Sequence, residues 1–204
     1  MSVPLDSITK NYWKGGLWRI DLWMLWHYSL GRAFRTSLKN RPRKRLLGLT
    51  YGETPLSSFE QMMDWAQPKA GEVFLELGSG TGRLSMVASM AMGLQSIGID
   101  CITPFVRNAN AVSKRLQLSS SFEEGDFFER SWSDADIVYI TATASTDEQV
   151  QRMSQKCGEL KEGARLISLT HPPQSDVMTK LGMRMMDFSW GTTAVFLSKR
   201  NAEV

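Results

Sequence analysis

Seven consecutive residues, Glu76-Leu77-Gly78-Ser79-Gly80-Thr81-Gly82, are the strongest chemical signal in the chain. They lie between a short apolar run and a helical pattern, where glycines permit a tight turn and close approach of a ligand. Two phosphate-binding readings fail on the residues themselves. A P-loop closes with Gly-Lys-Ser/Thr, whereas Arg83-Leu84 follows here. A dinucleotide loop wants Gly or Ala at its sixth position, where Arg83 stands.

Glu76, two positions before the first glycine, is the informative residue. A carboxylate there repels a pyrophosphate and suits a ligand with a cationic end, such as the amino group and sulfonium of S-adenosylmethionine. Asp100 follows Gly80 by 20 residues, at the end of the next apolar run. Alone it could be a helix-capping residue; behind a glycine loop, its spacing is that of a carboxylate bonding ribose hydroxyls. Asp126 and Phe127 follow a third such run, where a carboxylate can accept from an adenine amino group and a ring can cover the base. Core packing is the alternative for Phe127, and more so for Phe128. The expected cofactor floor is therefore Glu76, Gly78, Ser79, Gly80 and Gly82, with Asp100, Asp126 and Phe127 beyond it; a ligand-free turn is the competing reading of the loop.

These residues need strands and helices in alternation. Thr54-Pro55 reads as an N-cap with Pro at the first helical position, followed by Leu56, Phe59, Met62 and Met63 on one face. Val73–Leu77, Ser96–Asp100, a short run near Ser121–Glu123, Ile137–Ile140 and Ala164–Leu169 read as strands. Helices follow with Leu84, Val87 and Met90, with Phe105, Ala109, Val112 and Leu116, and with Val150, Met153, Cys157 and Leu160 inward. Thr146 and Gln149 fit a capping box. Met183–Phe188 and Thr193–Ser198, joined through Gly191, read as a closing hairpin. The expected fold is α/β, Rossmann-like: a mostly parallel seven-stranded sheet with helices on both faces, a C-terminal antiparallel hairpin and an N-terminal helical arm.

Over residues 70–200 this order of Glu76–Gly82, Asp100, Gly125-Asp126 and hairpin resembles class I S-adenosylmethionine-dependent methyltransferases. Three stretches resemble the non-SET histone-lysine methyltransferases of the telomeric-silencing family: Tyr51-Gly52-Glu53-Thr54, Gly125-Asp126-Phe127-Phe128 with Trp132, and Leu160–Ser168. A looser likeness is to mitochondrial lysine methyltransferases acting on ATP-synthase subunits. The resemblance implies methyl transfer from S-adenosylmethionine to a protein lysine. It places Glu53 and Thr54 over the methionine end of the cofactor, Glu76, Gly78 and Gly80 beneath it, Asp100 on the ribose, and Asp126 with Phe127 on the adenine. One departure stands out: where the silencing family carries Asn-Asn-Phe after its fourth strand, this chain reads Thr141-Ala142-Thr143-Ala144. An Asn/Asp-Pro-Pro-Tyr motif for planar nitrogen acceptors is also absent. Tyr51 and Thr141 are the expected lining of the acceptor channel, with Thr141 also beside the cofactor. Small-molecule, lipid or RNA methylation, or cofactor binding without turnover, are the alternatives.

The chain of 204 residues is long enough for one domain and a small appendage. Residues 1–50 carry ten Lys/Arg against Asp6 and Asp21, whereas residues 51–204 carry fourteen against nineteen acids. The division expected is a Trp-rich, basic helical arm over 1–50 and a methyltransferase domain over 51–204. Trp13, Trp18, Trp23 and Trp26 precede the basic stretch Arg32–Arg45. Such an arm suits an anionic membrane surface or nucleic acid, or packs as a lid on the domain. Cys101 and Cys157 have no ligand spacing, and His27 and His171 are isolated, so no metal is expected. The apolar run Leu17–Leu30 is interrupted by Arg19, Asp21 and His27 and is shorter than a bilayer span. The expected location is cytoplasmic, with a peripheral membrane contact as an option.

Overall fold

Short β-branched and aromatic runs form the strands β1 (Val73–Leu77), β2 (Gln95–Asp100), β3 (Ser120–Glu124), β4 (Ile137–Ile140), β5 (Arg165–Leu169), β6 (Met178–Phe188) and β7 (Gly191–Arg200). Between and before them lie α1 (Trp18–Tyr28), α2 (Leu56–Ala66), α3 (Arg83–Met92), α4 (Thr103–Leu116) and α5 (Asp147–Lys156). The computed structural model describes residues 8–10, 12–28 and 52–202. The strands make one sheet in the order β3-β2-β1-β4-β5-β7-β6. β1 to β5 pair in parallel, and β7 runs antiparallel to both β5 and β6. Chain order reverses between β1 and β4, which opens a crevice at the carboxyl ends of these strands.

Alternation along the strands divides the core in two. Phe74, Tyr139, Ile167 and Leu169 face α2, α3 and α4, while Leu75, Leu77, Val138, Ile140 and Leu166 face α5, Phe128 and Trp132. Helix ends are closed locally. Gln67 caps α2 with a left-handed φ of 50°, and the Arg165 guanidinium donates to the Ala66 and Gln67 carbonyls at 2.9 Å each. Both halves of the Thr146/Gln149 capping box are formed at the start of α5.

Two expectations from the sequence are corrected. Thr54 does not cap α2: Pro55 occupies the N-cap position, and the Thr54 hydroxyl is 2.7 Å from the phenol of Tyr139. A buried phenol offers that hydroxyl a partner that the helix end would otherwise supply. The hairpin is longer than its apolar alternation predicts, because the register shifts between Lys180 and Gly182 and Leu181, Met183 and Met185 stand exposed. Its turn is the two-residue Ser189-Trp190, with Phe188 opposite Gly191.

The Trp-rich segment forms α1, which packs on α3 and α4 through Ile20, Met24 and Tyr28. The Tyr28 ring meets Phe105 edge-on at 5.8 Å. The basic stretch Arg32–Arg45 lies outside the described residues.

Trp132 anchors the second core layer: it is fully buried, its indole N–H donates to the Phe127 carbonyl at 2.9 Å, and its ring stacks on Phe128. Trp132→Ala is expected to lower unfolding free energy by about 3–5 kcal/mol through the lost contacts and the residual cavity. Urea denaturation midpoints would measure this; a loss below about 1 kcal/mol would mean that the layer closes around the gap.

Candidate functional site

The register of the sheet brings the chemically informative residues to one edge. Leu77 pairs with Ile99 and Ile140, and Asp100 pairs with Glu124, so the loops after β1, β2, β3 and β4 begin side by side. The glycine loop is pulled over the end of β2: the Gly78 and Ser79 N–H groups donate to the Ile99 carbonyl at 2.8 and 2.9 Å. Asp100 then fastens it, with one carboxylate oxygen accepting from Gly80 N–H at 2.7 Å and the other from Ile102 N–H at 2.9 Å. A carboxylate accepts about four hydrogen bonds, so capacity remains for a ligand hydroxyl. Gly78 and Gly80 hold φ of 78° and 54°, the left-handed region that a glycine enters without strain. A Cβ on Gly78 would project into open space, whereas one on Gly82 would lie 2.4 Å from the Phe122 ring. Gly82 is thus turned toward helix–strand packing.

Glu76 is buried at the floor of this loop, its carboxylate accepting from the Ser85 N–H at 3.0 Å and the Ser85 hydroxyl at 2.6 Å. Burial pushes its pKa up to about 8; the two Ser85 bonds oppose the rise and nearby Asp100 adds to it. Burial raises Asp100 as well, against the pull of its backbone N–H donors. Two buried acids at the ends of neighbouring strands form a site that a cation relieves. On the third loop, Asp126 accepts from the Phe128 N–H at 3.0 Å. Phe127 is half-buried, and Phe128 is buried beneath the Arg152 guanidinium at 4.5 Å.

The opposite wall comes from sequence-distant parts. Tyr139 lies beside Glu76 in the β1–β4 register, so its side chain shares the same face of the sheet. Its phenol, raised in pKa by burial, bonds Thr54 and fixes the segment Gly52–Thr54. The hairpin turn fixes the other side: Glu53 N–H donates to the Ser189 hydroxyl at 2.8 Å, and Ser189 N–H donates to the Glu53 carbonyl at 3.3 Å. Gly52 is held so close to Trp190 that a Cβ there would fall 2.2 Å from the indole. Trp190 stacks on Phe188 at 4.9 Å and remains partly exposed. Glu53 is exposed and Thr54 buried; Tyr51 lies outside the described residues.

Thr141 follows β4 at the crevice edge and is exposed. Across from it, Thr170 carries a left-handed φ of 68° and donates to the Thr143 hydroxyl at 3.2 Å. A β-branched residue in that region is strained by about 1–3 kcal/mol, a cost met by surrounding structure. Sequence reasoning did not single out Tyr139, Ser189, Trp190 or Thr170. Only the positive φ of Thr170 and the contacts of the others mark them, and neither has a local sequence signal.

Arg83, directly after the loop, reaches out of the crevice. Its guanidinium donates to both oxygens of Asp21 on α1 at 2.5 and 2.7 Å, and the Tyr12 hydroxyl adds a third donor at 2.6 Å. Burial favours a protonated Asp21, but these partners outweigh it and hold its pKa below the ordinary value. A cation in the first turn of α3 opposes the helix dipole, and Asp21 offsets it.

The residues present fit S-adenosylmethionine. Two buried carboxylates suit its cationic end and its ribose, and the space before Gly78 is open. The Ser79 hydroxyl is buried without a hydrogen-bond partner among the described residues, an atom that a polar ligand would satisfy. Among the described residues, no group of three or more His, Cys, Asp or Glu is placed to hold a metal.

Over residues 43–181 the chain matches the family described as histone methylation protein DOT1. No curated protein matches it. Among solved structures it resembles an RNA methyltransferase from Salinibacter ruber in complex with S-adenosyl-L-homocysteine, at TM-score 0.61 and 22% identity over 74% of this chain and 95% of that one. It also resembles TrmN from Thermus thermophilus, at TM-score 0.60 and 15% identity over 70% and 48% of the two chains. A mutant of MtNAS in complex with S-adenosylmethionine matches at TM-score 0.59 and 15% identity, over 97% and 78%. At these identities the structural likeness establishes the fold, which is the Rossmann-like fold of the sheet described above.

Glu76 makes the ligand-free protein sensitive to pH. With a folded-state pKa near 8 against an ordinary 4.5, the folded state keeps a proton that the unfolded chain has shed. Stability is therefore fullest below the unfolded value and falls as pH rises toward about 8, by up to about 1.4 kcal/mol per pH unit. Urea midpoints across this range should show the slope in wild type and its loss in Glu76→Gln; an unchanged slope in the variant would assign it elsewhere. Separately, Asp100→Ala should weaken S-adenosylmethionine binding by about a hundredfold, since it removes both a ligand acceptor and the clasp on Gly80. Calorimetry would read that loss, and wild-type affinity in the variant would remove Asp100 from the site.

Proposed function

We propose, from the premise that this chain belongs to the family of the histone methylation protein DOT1 and is an S-adenosylmethionine-dependent methyltransferase, that its acceptor is the side-chain amine of a protein lysine. The observation that carries this reading is the family match itself. It spans Gly52–Thr54, the glycine loop, Asp100, Asp126 and the end of β4, and so takes in the cofactor side of the crevice, with the hairpin turn at Ser189 and Trp190 beyond it. The reading stops short of a histone. After β4 the chain carries Thr141-Ala142-Thr143-Ala144, which does not reproduce the Asn-Asn-Phe of the silencing family.

S-adenosylmethionine, when bound, supplies a methyl group already activated by its sulfonium. Glu76 would meet the cationic methionine end, Asp100 the ribose hydroxyls, and Asp126 with Phe127 the adenine. What the chain itself must provide is alignment, an effect worth up to roughly 7–11 kcal/mol. The segment Gly52–Thr54 is suited to it, being pinned by Tyr139 on one side and Ser189 on the other. A lysine must also arrive as a free amine. Its ordinary pKa of about 10.4 falls in apolar surroundings, which Phe188 and Trp190 would provide at the mouth of the crevice. Tyr139 is kept protonated by burial, so it orients Thr54 and does not serve as a base. Tyr51, just before the pinned segment, and Thr141, at the end of β4, are the proposed lining of the acceptor channel. The location we propose is cytoplasmic, a compartment that suits the two free cysteines Cys101 and Cys157.

Incubating the protein with cell lysate and methyl-labelled S-adenosylmethionine, then hydrolysing the products, should release label as methyl-lysine. Label confined to RNA, lipid or small molecules would replace the lysine reading with the corresponding one. Thr141→Val and Tyr51→Phe should each lower turnover by roughly tenfold or more through loss of alignment, with cofactor affinity unchanged in Tyr51→Phe. Full turnover in both would remove them from the channel.

A further inference from the structure

Helix α1 has two apolar faces. Ile20, Met24 and Tyr28 repeat every four residues and are buried against α3 and α4. The opposite face carries Trp18, Leu22, Leu25 and Trp26, which a turn of about 100° per residue gathers into one stripe. These side chains are exposed by 37%, 54%, 54% and 78% respectively. Trp13, 74% exposed, extends the stripe, its ring 6.5 Å from that of Trp18. A helix with two apolar faces ordinarily has both covered, and here only one is.

Charge argues for what would cover the other side. Lys10, Lys14 and Arg19 lie exposed around the stripe. The sequence then runs from Leu22 to Gly52 without an acidic residue, and carries Arg32, Arg35, Lys39, Arg41, Arg43, Lys44 and Arg45. Indoles and leucines beside a basic cluster combine the two attractions of an anionic bilayer surface. The apolar groups enter the boundary between headgroups and acyl chains, and the cations meet lipid phosphates. Indole suits that boundary because it has an apolar body and one N–H donor. Nucleic acid would use the cations but would leave Leu22 and Leu25 without a complementary surface. No helix among the described residues is long and apolar enough to cross a membrane, so the contact is one that lies on the surface.

We propose that the outer face of α1, formed by Trp13, Trp18, Leu22, Leu25 and Trp26 and accompanied by the exposed Lys10, Lys14 and Arg19, docks the protein on an anionic lipid bilayer. The inner face keeps the catalytic domain attached. Asp21, at the border between the faces, ties this helix through Arg83 to the glycine loop, so the docked helix fixes the orientation of the crevice to the membrane. The proposal is independent of which acceptor is methylated.

The test is co-sedimentation of the full chain with phosphatidylcholine vesicles, with and without about one-third phosphatidylglycerol, at moderate salt. Wild type should partition to the anionic vesicles and not to the neutral ones, with a blue shift of tryptophan fluorescence. The triple variant Leu22→Gln, Leu25→Gln, Trp26→Gln exchanges exposed residues for a helix former. It should lose roughly tenfold or more of the partitioning, with unchanged circular dichroism and cofactor affinity. The double variant Lys14→Glu, Arg19→Glu should lose a similar amount and keeps the question decidable if the first variant misfolds. Wild type left in the supernatant would overturn the proposal. So would sedimentation of the variants equal to that of wild type, or a wild type that binds RNA and shows no blue shift with anionic vesicles.

Discussion

The carboxylate of Asp100 accepts from the backbone of Gly80, and this one hydrogen bond joins the loop after β1 to the end of β2. It completes what the Gly78 and Ser79 N–H bonds to Ile99 begin, fastening the glycine loop at its middle. Beneath the fastened loop Glu76 is enclosed. The enclosure has an electrostatic cost. Two acids at adjacent strand ends are withdrawn from water, and Glu76 answers by holding its proton well beyond the ordinary carboxylate range. The site is thereby organised to receive positive charge: the ligand supplies what the protein withholds.

The hairpin β6–β7 closes the sheet and also builds the second wall. Ser58 donates to the Asp187 carbonyl at 2.5 Å, and the Arg184 guanidinium lies 4.4 Å over the Trp65 ring, so α2 is held to the edge strand. The turn residues Ser189 and Trp190 then position Gly52–Thr54. A segment that precedes the first strand is fixed by a turn near the end of the chain, and the two together face the glycine loop. The C-terminal strands therefore contribute to the crevice as well as to the core.

Helix α1 illustrates why a sequence pattern can look uninformative. Its apolar residues do not fall on one side, so no single amphipathic face appears. Solved in three dimensions, the same residues form two faces with different fates, one buried on α3 and α4 and one turned to solvent. A low net amphipathicity here reflects two opposed apolar surfaces that cancel.

The alternating strands and helices, the glycine loop, and Asp100 and Asp126 at strand ends were legible in the sequence because they rest on local periodicity and short spacing. The capping box at Thr146 and Gln149 was legible for the same reason. Thr54 was misread as a cap because its partner, Tyr139, lies 85 residues away. The Glu53–Ser189 bond spans 136 residues, and the Arg83–Asp21 pair spans 62. Sequence by itself determined which residues could form a nucleotide-binding crevice. Only the tertiary structure decided what closes it, because those contacts are made by side chains whose neighbours are set by sheet order and not by chain order.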